Sequence, residues 1–156
     1  MYSPMISDTR RAAFRGAIFF LIVYLSIGLA SADQQVTLNI KGHEISATVA
    51  NTFALRKKGL MNREHLAENE GMLFVFPKVD NCSMWMKNTV IPLSVAFIDR
   101  KGVVINIEEM MPLSLDRHSA RKPVKYALEM NAGWFNRRGV EAGDTLQGLG
   151  KAIDGD

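Results

Sequence analysis

The 156-residue sequence contains a single cysteine, Cys82. One thiol cannot form an internal disulfide, so the stability of the fold has to come from packing. Histidine is also scarce, with 3 residues in the chain, and this argues against a metal centre built from several imidazoles. The sequence has no G-x-S-x-G, H-E-x-x-H or C-x-x-C motif and no glycine-rich phosphate loop. It therefore predicts no cofactor and shows no recognisable set of nucleophile and base.

A strong excess of charge of one sign is missing as well. The chain has 19 basic and 16 acidic residues. Residues 1–32 account for three arginines and one aspartate, which leaves 16 basic against 15 acidic residues in the remainder. Binding to a nucleic acid needs a clustered basic face. We therefore expect no nucleic-acid partner.

The longest hydrophobic run lies close to the N-terminus. Arg10, Arg11 and Arg15 precede an apolar stretch from Gly16 to Ala30, and Ala30-Ser31-Ala32 supplies small residues for cleavage. A bilayer-spanning helix needs about 20 apolar residues, and Arg15 interrupts any longer window. The pattern predicts a cleavable export signal over residues 1–32, with an uncleaved membrane anchor as the alternative. The mature protein would be periplasmic or secreted, without membrane contact, as one globular domain over residues 33–150 and a frayed tail over 151–156.

The mature chain begins with an alternating apolar pattern that is typical of a β-hairpin. Val36, Leu38 and Ile40 would face Val49, Ala47 and Ile45 across a two-residue turn at Gly42-His43, with all six on one face of the sheet. Further strands are predicted near residues 72–76, 84–87, 93–99, 103–109 and 124–130, and a last one from Asp144. Asp99 to Gly102 reads as a turn, and residues 110–123 as a long connection.

Two short helices are predicted from their ends. Phe53 to Lys58 would be capped by Thr52 or Asn51 and stopped by Gly59. Ala132 to Arg138 would be capped by Asn131 and stopped by Gly139. Together with the strands they indicate an α+β, mainly β fold, a small partly closed barrel or sandwich with one or two short helices.

Two segments carry the candidate functional residues. In Met84 to Thr89, strand alternation would turn Trp85 and Lys87 away from Met84 and Met86. This segment is either ordinary packing or a binding surface with Trp85 as its floor and Lys87 and Asn88 as polar groups that direct a ligand.

In Val124 to Asn131, Glu129 and Asn131 share a face opposite Leu128 and Met130. Glu129 is unusual in the middle of a strand, and it is either a structural carboxylate or an acid/base group near Lys87 or His118.

Four motifs resemble the domain-of-unknown-function 192 family: Gly59-Leu60-Met61, the run Gly71 to Phe76, the run Met84 to Leu93, and the run Leu128 to Gly133. The resemblance extends from about Val36 to Leu149. It implies a compact, strand-rich and frequently exported domain without a settled biochemical role. One departure is Ser94, because the family commonly has Asp after the Ile-Pro-Leu step.

Three functions remain open at this stage. The first is a binding or accessory module that holds an unknown small molecule or a protein segment around Trp85, Lys87, Asn88, Glu129, Asn131 and His118. The second is an enzyme, such as a hydrolase of envelope material, that uses Glu129 with Lys87 or His118. The third is copper handling, because thioether and thiol ligands suit Cu(I), yet no metal-ligand cluster is visible among the methionines.

Overall fold

The computed structural model describes residues 34–151, apart from the side chain of Lys151. The predicted export signal over residues 1–32 and residues 152–156 of the predicted tail lie outside the described residues. Within residues 34–151, no helix has the length and apolarity needed to span a bilayer.

Eight strands and two short helices form the described part of the chain. Their order is β1 (Gln35–Ile40), β2 (His43–Ala50), α1 (Phe53–Lys58), β3 (Glu70–Asp80), β4 (Ser83–Met84), β5 (Leu93–Ile98), β6 (Val104–Met110), β7 (His118–Ser119), β8 (Val124–Asn131) and α2 (Trp134–Arg137), followed by a 3-10 turn at Leu149–Lys151. The expectation of a mainly β domain with two short helices is confirmed.

Six of the strands form one mixed sheet in the order β1-β2-β3-β8-β5-β6, and β4 pairs with β7 in a separate two-stranded sheet. Only β2 and β3 run parallel, and α1 lies in the connection between them. The segment after Gly143 bridges to both edges of the large sheet, through Asn39 with Gln147 and through Val103 with Thr145. These are isolated bridges, so the predicted strand from Asp144 is wrong. The sheet curls without closing into a barrel and gives a sandwich-like fold.

The first hairpin forms where the sequence predicts it, but its turn is Lys41-Gly42 instead of Gly42-His43. Val36 pairs with Ala47, Leu38 with Ile45 and Ile40 with His43. Lys41 and Gly42 have φ angles of 52° and 83°, and two successive positive φ angles define the turn that best matches the twist of a two-residue hairpin. The register moves by two residues, and the predicted apolar face is therefore preserved.

Apolar clusters cover both faces of the large sheet. The first contains the inward residues of the hairpin together with Tyr126, Leu128 and Met130 of β8. Trp134 and Phe135 of α2 belong to the same cluster. The second contains Leu60, Phe74, Met86, Val95 and Ala127 among others. Glu129 alternates with Leu128 and Met130 along β8, and it therefore faces this second cluster.

Helix α1 matches its prediction from end to end. The Thr52 side chain accepts a hydrogen bond from the Leu55 N–H at 3.2 Å, and Gly59 ends the helix with a φ of 49°. Helix α2 begins later than predicted. Asn131 is the last residue of β8, and Gly133, with a φ of 72°, starts the helix without a side-chain cap of its own. The helix ends at Arg137, one residue before the predicted Arg138, and Val140 N–H returns to Phe135 O at 2.9 Å after Gly139.

Candidate functional site

Glu129 lies in the centre of the large sheet. Its strand, β8, sits between β3 and β5, where Glu129 pairs with Met72 on one side and Val95 on the other. Both neighbours are fully or almost fully buried, and Glu129 itself is 4% exposed. The sequence thus places one carboxyl group in an apolar layer.

No residue within 34–151 donates a hydrogen bond to this carboxyl group. Since no fully enclosed side-chain oxygen of the described chain lacks a partner, the Glu129 oxygens must reach the space of the pocket that they line. Burial raises the pKa of Glu129 to about 8, because desolvation disfavours the charged form. At neutral pH the group is therefore a carboxylic acid, with an O–H to donate.

The pocket above Glu129 has a volume of about 150 Å³. Its walls are apolar where Leu60, Phe74 and Phe76 line it, and basic where the last turn of α1 brings Arg56, Lys57 and Lys58 to its rim. Arg56 donates hydrogen bonds to Val75 O at 2.9 Å and to Asn51 O. The guanidinium group is thereby fixed beside the pocket, and it forms no ion pair with Glu129 or any other residue of the described chain.

Trp85 lines this pocket and also a second hollow of about 440 Å³, which has a more apolar lining. Trp85 is 41% exposed. Lys87 Nζ lies 5.5 Å and Arg117 Cζ lies 5.4 Å from the ring centre, within the range of cation–π contacts. Lys57, Lys58 and Met61 line both hollows. The two hollows are therefore neighbours, and cations lie beside the aromatic ring that they share.

Only part of the predicted strand over residues 84–87 exists, because the ladder ends at Met84 and residues 86–89 turn. Met86 is fully buried in the second cluster, whereas Trp85, Lys87 and Asn88 are exposed. Asn88 has a φ of 55°, and its carbonyl accepts the Asn62 N–H at 2.9 Å. Its geometry explains why Asn occupies this position, since Asn tolerates the left-handed region better than most residues.

Asn131 and His118 lie outside the pocket of Glu129. The Asn131 amide donates to Leu66 O at 3.1 Å and to Ala67 O at 2.9 Å, and so it anchors the segment before β3. His118 is in β7, paired with Met84. Lys87 lines the second hollow and not the pocket above Glu129. The structure brings Trp85 and Glu129 to one pocket, whereas Lys87 and His118 are not brought to the carboxyl group.

The residues considered for copper binding do not share one environment. Met86 is enclosed in the core and Met84 is half-buried. Cys82 Sγ lies 3.5 Å from Asp80 O, and burial together with the Asp80 carboxylate raises the pKa of the thiol. Among residues 34–151, no three His, Cys, Asp or Glu side chains lie close enough together to hold a metal ion.

Ser94 takes part in a network that the sequence did not indicate. Its hydroxyl group lies 2.7 Å from each carboxylate oxygen of Glu109 on the neighbouring strand, and it accepts the Gly133 N–H at 2.7 Å. Glu109 also accepts the Gly133 N–H at 3.1 Å. Ser94 and Glu109 together therefore cap the start of α2. The sequence pointed to Ser94 only as a departure from the family resemblance, and its pairing with Glu109 emerged from the register of β5 and β6.

The basic rim of the pocket was also missed. Arg56, Lys57 and Lys58 fill the last turn of α1, where basic residues favour the helix dipole, and no role at a pocket was predicted for them. Three consecutive basic residues just before a helix-ending glycine could have indicated a charged rim, had the position of α1 over the sheet been known.

These features define a class of small, curled, mainly β domains with a basic pocket over a buried glutamate. The model of the family DUF192, described as "Uncharacterized ACR", matches residues 36–148. The chain belongs to the DUF192 family.

Two solved structures are similar to this chain. One, a "putative transcription regulator" from Sinorhizobium meliloti 1021, is 37% identical, with a TM-score of 0.73 over 76% of this chain and 97% of its own. The other, a protein of unknown function from Novosphingobium aromaticivorans DSM 12444, is 32% identical, with a TM-score of 0.72 over 90% of this chain and 99% of its own. No curated protein matches the chain.

Proposed function

We propose that this protein is an exported binding module whose pocket takes a small molecule with a carboxylate group and an apolar or aromatic body. The observation that carries the proposal is the Glu129 carboxyl group, 4% exposed and without a hydrogen-bond partner in the described chain, which faces a pocket with a basic rim. The Glu129 oxygens are not enclosed but open to the pocket, so a hydrogen-bond partner for them has to come from outside the described chain. A ligand oxygen would supply that partner.

The charges around the pocket favour an anion over a cation. Arg56, Lys57 and Lys58 line the rim, and they would repel a positively charged ligand. Because the pKa of Glu129 is raised to about 8, its protonated carboxyl group can donate to a ligand carboxylate at neutral pH. Phe74, Phe76 and Trp85 offer apolar surface to the rest of the molecule. Because these cations surround a concave mouth, they fit a small anion better than a nucleic acid, which needs an extended basic face.

Benzoate and benzamide form a matched pair of probes, since they share a ring and differ in charge. We expect benzoate to shift the NMR signal of the Trp85 indole N–H, whereas the buried Trp134 serves as an internal reference. Benzamide should bind about tenfold more weakly, because a charge-assisted hydrogen bond is lost. Lys58→Gln should weaken benzoate binding, and Lys78→Gln, which removes an exposed lysine outside the pocket, should not. Equal binding of the two probes would contradict an anion site.

The pH dependence of the same titration identifies the role of Glu129. The affinity of the wild type for benzoate should fall about tenfold from pH 7 to pH 9, because Glu129 then has to regain a proton before it can donate. Glu129→Gln keeps a donor at every pH, and its affinity should stay level over this range. A parallel decline in both proteins would assign the pH effect to another group.

A second function, an enzyme with Glu129 as general acid, is favoured by one observation. A carboxyl group that stays protonated at neutral pH inside a pocket has the property that such an acid needs. Glu129→Gln separates the two functions, since it would abolish acid catalysis and retain benzoate binding near pH 7. Hydrolysis of p-nitrophenyl esters and glycosides by the wild type, lost in Glu129→Gln, would establish the enzyme instead of the binding module.

Export is the remaining part of the proposal, and its support is the pattern of Arg10, Arg11 and Arg15, the apolar run from Gly16 and the small residues at Ala30 to Ala32. Intact-mass analysis of the protein from the periplasm or the medium should find a chain that begins at Asp33. A full-length, membrane-retained product would show that the segment is an anchor.

A further inference from the structure

The connection between β6 and β7 carries three strongly exposed apolar side chains near the mouth of the pocket. Met111, Leu113 and Leu115 are 71%, 59% and 65% exposed; we refer to residues 111–115 as the apolar loop. None of these three side chains lines any of the hollows described above. They therefore project outward as a ridge, instead of forming a groove that could hold a peptide.

The backbone holds the apolar loop rigidly against the turn that follows Trp85. Leu113 N–H donates to Thr89 O at 3.0 Å, and Met86 N–H donates to Ser114 O at 3.0 Å. Val90, which is 48% exposed, directly follows Thr89 and extends the apolar surface. The exposed side chains are thus presented by an ordered segment.

Leu113 has a φ of 61°, a conformation that a leucine rarely adopts. Asn or Gly would fit this backbone with less strain, and the position is solvent-exposed, so packing does not explain the choice of Leu. Strained backbone of this kind is concentrated at functional positions. An exposed leucine in a left-handed conformation thus points to a contact made by its side chain.

Cations flank the apolar loop. Arg117 follows it, donates to Ser83 Oγ at 3.1 Å and lies over Trp85, on which Lys87 also lies. Lys57 and Lys58 line both hollows beside Trp85. Asp116 is an acidic residue beside the loop, and Ser114 Oγ donates to it at 2.9 Å. The cations outnumber it, so the face is positive.

From this combination we infer that the apolar loop and the cations around Trp85 dock the protein on an anionic lipid bilayer. Protruding apolar side chains would enter the boundary between headgroups and acyl chains, Trp85 would lie at headgroup level, and Lys87 and Arg117 would meet lipid phosphates. A ridge with a basic border is complementary to such a surface in both shape and charge. The sequence alone predicted no membrane contact for the mature protein, and the exposure of this loop is the observation that argues otherwise.

Vesicle binding tests the inference with the exported, processed protein. We expect it to co-sediment with phosphatidylcholine vesicles that contain 30% phosphatidylglycerol and to bind pure phosphatidylcholine at least tenfold more weakly. Brominated lipids should quench Trp85 fluorescence. Raising the salt from about 0.1 to 1 M should weaken binding, because the screening length falls from about 10 to 3 Å. Equal binding to both vesicle types, or none to either, would overturn the proposal.

The variants are chosen so that a folding defect cannot imitate the result. Leu113→Asn removes the apolar side chain and suits the positive φ better, so it should lower vesicle binding roughly tenfold without lowering the melting temperature. Leu115→Ser should add to that loss. Val79→Ser removes an exposed apolar side chain near the end of β3, outside the apolar loop, and should leave binding unchanged.

Two further readouts complete the test. Leu113→Asn should still bind benzoate like the wild type. A failure of the membrane-docking proposal can then be distinguished from a failure of the binding-pocket proposal. Sedimentation velocity tests whether a second copy of the chain, instead of a bilayer, covers the apolar loop. A dimer that dissociates in Leu113→Asn, with vesicle binding unaffected, would overturn membrane docking.

Discussion

Glu129→Gln should make this domain more stable at neutral pH, even though it alters the centre of the sheet. Gln has nearly the same shape as Glu and carries no charge at any pH. Because the pKa of Glu129 in the folded state is about 8, against about 4.5 in the unfolded chain, folding at pH 7 requires the uptake of a proton. Removing this requirement should raise the free energy of unfolding by about 3 kcal/mol at most, and the melting temperature by about 10 °C.

The sign of the pH dependence follows from the direction of the pKa shift. Below about pH 4.5 the carboxyl group is protonated in both states, and wild type and variant should be equally stable. Between pH 4.5 and 8 the unfolded chain loses its proton while the folded protein keeps it, so the stability of the wild type declines as the pH rises. Above pH 8 the difference should be constant.

Thermal melts of both proteins at pH 4, 6, 7 and 8.5 provide the measurement. The pH 4 pair is the control for any effect of the amide itself. A variant that is less stable than the wild type at pH 7 would show that the Glu129 carboxyl group is a structural partner inside the fold, and it would remove the main support for the binding pocket. A carboxyl group that lowers the stability of the fold and faces a pocket is better explained by a role in ligand binding than by a structural role.

The sequence was most informative where a repeating pattern decides the structure. Alternation assigned the apolar faces of β1, β2 and β8 correctly, and the two-residue error in the hairpin turn left those faces intact because the side-chain period of a strand is two. Gly59 and Gly139 marked the helix ends because each has a positive φ. Local rules of this kind do not depend on the rest of the fold.

The sequence was less informative where several distant segments meet. The start of α2 depends on Ser94 and Glu109, which precede it by 39 and 24 positions in the chain. Glu129 stood out as a charged residue in a strand, but whether it was paired depended on the side chains that α1 and the turn at residues 86–89 place around it. Asn88 and Asn131 were predicted as ligand-binding residues, whereas backbone geometry explains Asn88 and anchoring hydrogen bonds explain Asn131.

Ser94→Asp should destabilise the fold strongly, although Asp is the residue that the family commonly has at this position. The Ser94 side chain is fully buried, and its hydroxyl group donates to Glu109. An aspartate has no proton to donate at neutral pH, so two carboxylates would face each other across β5 and β6, one of them buried. We expect a loss of about 3 kcal/mol, or about 10 °C in the melting temperature.

Glu109→Gln should largely rescue Ser94→Asp, because the side-chain amide that it introduces could donate to the new carboxylate, which would also accept the Gly133 N–H. Melts of the wild type, both single variants and the double variant form a cycle, and the coupling between the two positions should be about 2 kcal/mol. Ser94→Ala is the matched control: it removes the hydroxyl group without adding charge, and Glu109→Gln should not rescue it. Additive effects of Ser94→Asp and Glu109→Gln would contradict the direct contact. A rescue would show that one carboxylate, placed on either β5 or β6, is sufficient to cap the start of α2.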